Sequence, residues 1–221
     1  MKTQNDPKPL SMVILAAIVI ALAAASYYYL YQNEIAPRLE NEEETEQSEE
    51  MTLSNQEIIE VRASETLGLL QGKEFISLSE YVHPEKGVRF TPYTFVDLEN
   101  DVVLTADEIK NILADSRSFT WGAYDGSGEP IEKPFMEYYD EFVYDQDFFL
   151  APEVSYDDPI GAGNTINNAS QVYPDAIIVE YYFEGFNPEY EGMDWVSLKL
   201  VFEEHEGEWY LVGIIHNSWT I

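Results

Sequence analysis

Three apolar runs with period-two alternation close the chain, at residues 176–184, 195–203 and 209–216. Strict alternation marks a strand with one face turned to a core. Turn residues separate the runs, so together they predict a terminal antiparallel meander in a curved sheet. The third run is apolar on both faces, with Tyr210, Val212 and Ile214 on one and Trp209, Leu211 and Ile215 on the other. That pattern predicts a central strand covered on both sides, and Gly213 in its middle predicts a bend. His216 falls at the end of this strand, on the face assigned to Tyr210, Val212 and Ile214.

Upstream, the apolar spacing changes to that of helices. Ile59, Ala63, Leu67 and Leu70 recur at helical intervals behind a capping-box sequence, Ser54 to Glu57, and Gly72 ends the predicted helix. A second short helix is predicted over residues 73–82, stopped by His83-Pro84. Residues 88–96 read as extended, and Pro92 within them predicts an edge strand or a bulge. Residues 102–104 are a further short extended piece. Thr105 and Glu108 form a second capping box, opening a helix to Ala114 with Ile109, Ile112 and Leu113 as its apolar face. A strand at residues 119–124 ends in the turn 125–128, and residues 134–143 read as a helix with proline at its start. Residues 145–175 carry Pro, Gly and Asn throughout and predict a long loop, a lid or binding loop.

The N-terminal part follows a different pattern. No charged residue occurs at positions 9–33, an uninterrupted apolar length that matches a bilayer core. Lys2 and Lys8 precede it and acidic residues follow, which predicts a cytoplasmic N-terminus and an extracytoplasmic remainder. The expected organisation is a cytoplasmic segment 1–9, a transmembrane helix or uncleaved signal anchor 10–31, an acidic linker 32–53 and a folded domain 54–221. Cleavage after the small residues Ala23–Ala25 is the alternative. Residues 40–50 are held extended by like charge and read as a tether.

Charge narrows the partners. The chain has 42 acidic and 11 basic side chains, a formal net charge of −31, so the phosphates of nucleic acid would be repelled. With no cysteine, disulfides, thiolate metal sites and thiol catalysis are excluded. No cofactor is expected. The best metal pattern is Asp97, Glu99, Asp101 and Glu108 at calcium-loop spacing, but Val102 stands where the loop needs glycine, and no metal site is assigned.

Helices first, then strands with interposed helices and a final meander suggest an α+β fold: a cone-shaped roll with N-terminal helices packed on a curved, mostly antiparallel sheet, preceded by one transmembrane helix. At residues 207–221 (GEWYLVGIIHNSWTI) the chain resembles the nuclear transport factor 2-like group, which includes ketosteroid-isomerase-like domains. With residues 81–93, 120–131, 163–168 and 192–201 it looks similar to membrane-anchored exported proteins of Gram-positive bacteria. The resemblance implies a cone that binds a small ligand, a sheet that dimerises, or an enzyme, and fold alone does not choose.

Catalytic signatures are sparse. There is no nucleophile elbow, zinc-protease helix or phosphate loop. A ketosteroid-isomerase-like site would want a buried carboxylate with a Tyr donor, for which Glu180 and Tyr182 are candidates. His216 would need an acidic orienter within reach. His205 is expected in solvent and His83 as a cap. The expectation is a binding or interaction module without catalysis, its ligand-binding candidates being Tyr93, Trp121, Asp125, Asn164, Asn167, Glu180, Tyr182, His216 and Trp219. Its expected partners are the membrane, through the N-terminal helix, and a small ligand or cell-surface protein, with a homodimer as a further possibility. The alternatives are a small-molecule enzyme with a carboxylate or histidine in the cone, and a structural dimerisation module.

Overall fold

In the computed structural model, which describes residues 25–26, 28–35 and 54–220, the three alternating runs become β6 (Ile177–Phe183), β7 (Val196–His205) and β8 (Glu208–Ser218). They pair antiparallel in sequence, as the alternation predicts. β1 (Val88–Thr91) lies parallel to β8, and β2 (Val102–Leu104) lies antiparallel to β1. With β5 (Glu153–Tyr156) beyond β6, the six-stranded sheet has the order β2-β1-β8-β7-β6-β5. A separate hairpin joins β3 (Ser118–Ala123) to β4 (Pro130–Pro134). The protein is therefore α+β, with a mixed, mostly antiparallel sheet and a few helices.

β8 is central, as its two apolar faces require. β1, however, is no edge strand: it is paired on both sides, and Pro92 falls just past its last paired residue, Thr91. The proline ends the strand instead of marking a border, since it has no N–H to donate.

The expected faces of β8 are overturned by a bulge. Val201 pairs with Gly213 and Phe202 with Leu211, which leaves Val212 without a partner across the ladder. One extra residue reverses the facing of everything beyond it. Trp209, Leu211 and Ile214 share the helix-side core, while Val212 and Ile215 face the opposite side. His216 pairs with Leu198 and shares its helix-side face, together with Leu211 and Ile214 and not with Tyr210 and Val212. Gly213 lies beside the bulge, and a Cβ there would come within 3.2 Å of the Tyr173 hydroxyl. Its bareness makes room for that ring.

The helices cover one sheet face. α1 (Asn55–Gln71) has the predicted box, with Ser54 accepting from the Glu57 amide and Glu57 accepting from that of Ser54, and it buries Ile59, Ala63, Leu67 and Leu70. α2 is limited to Phe75–Leu78, shorter than expected, because the following residues are drawn to β8. There the Tyr81 carbonyl accepts from Leu211 N at 2.7 Å and His83 N donates to Leu211 O at 3.0 Å. α3 (Ala106–Lys110) passes into a 3-10 turn at Ile112–Ala114, so Ile109 and Ile112 are buried while Leu113 is exposed. α4 (Phe135–Phe142) completes an aromatic interior in which Trp121 stacks on Tyr138 with ring centroids 4.0 Å apart. Phe90 meets Trp121 and Phe135 edge to face, and Phe75 meets Phe135 in the same way.

The segment expected to be one long loop contains β5, a 3-10 turn at Phe148–Leu150 and α5 (Ala169–Val172). Its later part covers the other sheet face, where Ala169, Tyr173 and Val96 pack on Val201, Val212 and Ile215. Asn168 ties it down, accepting from Val96 N at 2.8 Å and donating to Val96 O at 2.9 Å.

Ser54–Ile221 is a unit distinct from Met1–Leu53. The expected cytoplasmic segment, residues 10–24 and 27 of the expected anchor, and residues 36–53 of the expected linker lie outside the described residues. Residues 28–30 are helical and lead into a π-helical turn at Tyr31–Ile35. Among the described residues, no helix is long and apolar enough to cross a membrane.

Candidate functional site

Two cavities, one on each side of the sheet, hold five of the nine nominated residues. The first, of about 450 Å³, opens at the end of β8 on the helix side. Tyr93, Tyr124, Phe142, Trp195 and Trp219 supply aromatic wall, and Glu141, Asp145, Asp194 and His216 supply its charged and titratable groups. β8 and the bulge aim His216 here, α4 brings Glu141 and Phe142, and the chain just past α4 brings Asp145.

His216 is buried, and each ring nitrogen meets an oxygen. Nδ1 lies 3.2 Å from the Pro92 carbonyl and Nε2 lies 3.3 Å from Asp145 Oδ2. Phe142 packs edge-on against the imidazole at 5.6 Å. Among the described residues Asp145 Oδ1 is buried with no hydrogen-bond partner. Asp194 is similar: its Oδ2 accepts from the amides of Phe186 and Asn187 at 3.0 and 2.8 Å, while Oδ1 is buried without a partner among the described residues. Tyr93 is shifted upward by burial, so its hydroxyl stays neutral and able to donate.

The second cavity, of about 280 Å³, lies on the opposite face beneath the covering segment. Its floor is a cross-strand row, Ser155–Glu180–Lys199, from β5, β6 and β7. Glu180 is almost fully buried, and four groups surround its carboxylate. Ser197 donates to Oε1 at 2.6 Å, Gly161 N to Oε1 at 3.3 Å and Ile160 N to Oε2 at 2.8 Å, and Lys199 Nζ stands 3.5 Å from Oε1. Lys199, equally buried, donates to Thr94 Oγ1 at 3.2 Å. Desolvation pushes the Lys199 ammonium below its ordinary value, opposed by the Glu180 charge. Among the described residues the Ser155 hydroxyl is buried without a partner.

The nominated residues therefore divide. Tyr93, His216 and Trp219 meet at the first cavity, and Glu180 and Asn167 at the second. Asp125 lies with Tyr93 and Tyr124 in a neighbouring depression. Trp121 is wholly inside the core, its indole N–H donating to the Lys133 carbonyl at 2.9 Å. Asn164 reaches the Thr220 carbonyl at 3.5 Å, and Asn167 accepts from the Ala169 amide at 3.1 Å, both serving backbone. Tyr182 is half-buried against Trp195 at 5.9 Å. Glu180 and Tyr182 stand on the side of the sheet away from the helix-side core, so neither faces the first cavity's His216.

Other candidates are absorbed by local structure. Asp97 caps the amides of Glu99 and Asn100, Asp101 accepts from Thr91 and the Asp97 amide, and Glu108 closes its capping box. His83 Nδ1 accepts from the amides of Glu85 and Lys86, and burial lowers its pKa. His205 is half-buried, its ring 4.8 Å from that of His83, instead of free in solvent. Among the described residues, no three His, Asp or Glu side chains gather as a metal cluster.

Sequence reading missed Asp145, Ser155 and Lys199. Asp145 sits in an acidic stretch with nothing to distinguish it. Lys199 did carry a signal: it is the lone charge inside the apolar run 195–202. Compared with protein-family models, with curated proteins and with solved structures, the chain finds no match.

Proposed function

We propose that this chain is a membrane-anchored, extracytoplasmic binding module, a nuclear transport factor 2-like roll whose first cavity receives a cationic group. The observation that carries the reading is the buried, unpartnered carboxylate oxygen Asp145 Oδ1 at an aromatic-walled cavity that Glu141 and Asp194 also line. A buried acceptor without a donor costs free energy until something supplies one. An alkylammonium or guanidinium group supplies N–H donors, and the faces of Trp219 and Tyr93 suit its charge. The net charge of −31 draws cations toward the domain.

The arrangement at His216 favours binding over proton transfer. A general base needs one nitrogen on its orienter and the other turned to the substrate. Here the orienter, Asp145, is present, but the second nitrogen faces the Pro92 carbonyl at 3.2 Å instead of the open cavity. His216 thus fixes Asp145 in place. The extracytoplasmic placement rests on the uncharged N-terminal run and the lysines before it.

The test is calorimetric titration of the full-length chain with agmatine, a guanidinium compound lacking a carboxylate. Saturable binding is expected, weakening with added salt and falling by about tenfold in Asp145→Asn, as expected for loss of a hydrogen bond to a charged group. No binding, or equal binding by the Asp145→Asn variant, would reject the reading.

A further inference from the structure

The second cavity is the less expected of the two. It lies on the sheet face away from His216, and its floor holds a cation whose bonding is incomplete. An ammonium has three N–H donors. Among the described residues Lys199 has a single hydrogen bond, to Thr94, and its separation of 3.5 Å from Glu180 makes that contact an ion pair at the limit of hydrogen bonding. Two backbone amides and Ser197 share the Glu180 oxygens with it. Beside this pair, the Ser155 hydroxyl is buried with no partner among the described residues. Two neighbouring groups on one cavity floor thus lack an oxygen acceptor or donor that something in the cavity could provide.

The rim has the opposite sign. Asp157 and Asp158 are exposed at the entrance, Asp157 using one oxygen to accept from Ile178 N at 2.8 Å. The cavity is therefore graded, with an ion pair whose ammonium is incompletely bonded and a hydroxyl at the bottom, and carboxylates at the top. A simple anion would be repelled at the entrance, and a simple cation would leave the Lys199 N–H donors without an acceptor. A polyol would satisfy the hydrogen bonds but would leave the charge separation unused.

We infer that this cavity is a binding site for a small zwitterion, an α-amino acid, seated with its carboxylate on Lys199 and Ser155 and its ammonium toward Asp157 and Asp158. The covering segment suits the role. Its Gly161 lies where a Cβ would come within 2.8 Å of the Trp195 ring and 3.0 Å of Glu180 Oε1, so the backbone closes tightly over the carboxylate. The ammonium does no covalent chemistry in this scheme; it is a counter-charge held ready in a low-dielectric floor.

The test is calorimetric titration of the full-length chain with L-alanine, L-alaninamide, propionate and glycerol. Alanine is expected to bind saturably, with alaninamide and propionate each weaker by about tenfold, since each lacks one charged contact. Ser155→Ala leaves the Lys199–Glu180 pair intact and is expected to weaken alanine several-fold. Lys199→Met is expected to abolish binding, and Ser155→Ala keeps the test decisive should Lys199→Met fail to fold. Asp145→Asn, on the other face, is expected to leave alanine binding unchanged. The proposal is overturned if alanine gives no heat, if glycerol matches it, or if Ser155→Ala binds alanine as the parent chain does.

Discussion

At the residue scale, Asp101 gives the clearest pH signature. Burial raises its carboxyl from the ordinary 3.8 to about 6, against the opposing pull of hydrogen bonds from Thr91 and the Asp97 amide. Between those two values the folded chain keeps a proton that the unfolded chain has released. Its stabilising contribution is thus complete below the lower value and is lost as pH rises through about 6. Asp101→Asn is expected to flatten the stability profile across that interval, as measured by urea unfolding at a series of pH values. An unchanged slope would contradict the assignment. Gly213 is a second diagnostic position, since a Cβ would press within 3.2 Å of both the Tyr173 hydroxyl and Val201. Gly213→Val is expected to cost about 1–3 kcal/mol as overpacking, read from the urea midpoint. Neither property was legible in the sequence. Glycine in a strand signalled a bend, but which ring fills the space depends on a contact forty residues away in sequence.

Elements were legible where local chemistry decides them and obscure where distant pairing does. Both capping boxes form as written, and each start is fixed by side chains three residues apart. Thr105→Ala is expected to destabilise the domain by about 1 kcal/mol, with thermal unfolding as the check. α2 failed to extend over its predicted length because Tyr81 and His83 bond to Leu211, more than a hundred residues on. The bulge at Val212 was equally hidden. Alternation cannot reveal a residue left unpaired, yet that residue decides which face His216 takes. The long irregular stretch concealed β5 and α5 because neither has enough residues to show a period. Its Gly161 is the element's weak point, and Gly161→Val is expected to lift the covering segment from Glu180. Faster amide exchange at Ile160 and residue 161 would report it.

At the scale of the molecule, the sheet separates two polar chambers. On one side a helix-covered aromatic interior ends in the cavity of His216, Asp145 and Trp219. On the other, a covering segment encloses the Lys199–Glu180 floor. The central position of β8 followed from its composition, since two apolar faces demand two covers. The chambers themselves did not, because Asp145 and Lys199 acquire meaning only from what the fold sets beside them. The chain's net charge is −31, so raising sodium chloride is expected to raise the melting temperature by screening self-repulsion.

The four tryptophans offer the most direct test of the proposed cation site. Trp195 and Trp219 line the first cavity, Trp121 is sealed in the core, and Trp209 belongs to the opposite end of β8. Each indole N–H gives its own signal in a nitrogen–proton correlation spectrum of the full-length chain. On titration with agmatine, the signal of Trp219 should shift saturably, while those of Trp121 and Trp209 stay fixed. Four unmoved signals, or shifts at Trp209 without Trp219, would contradict it.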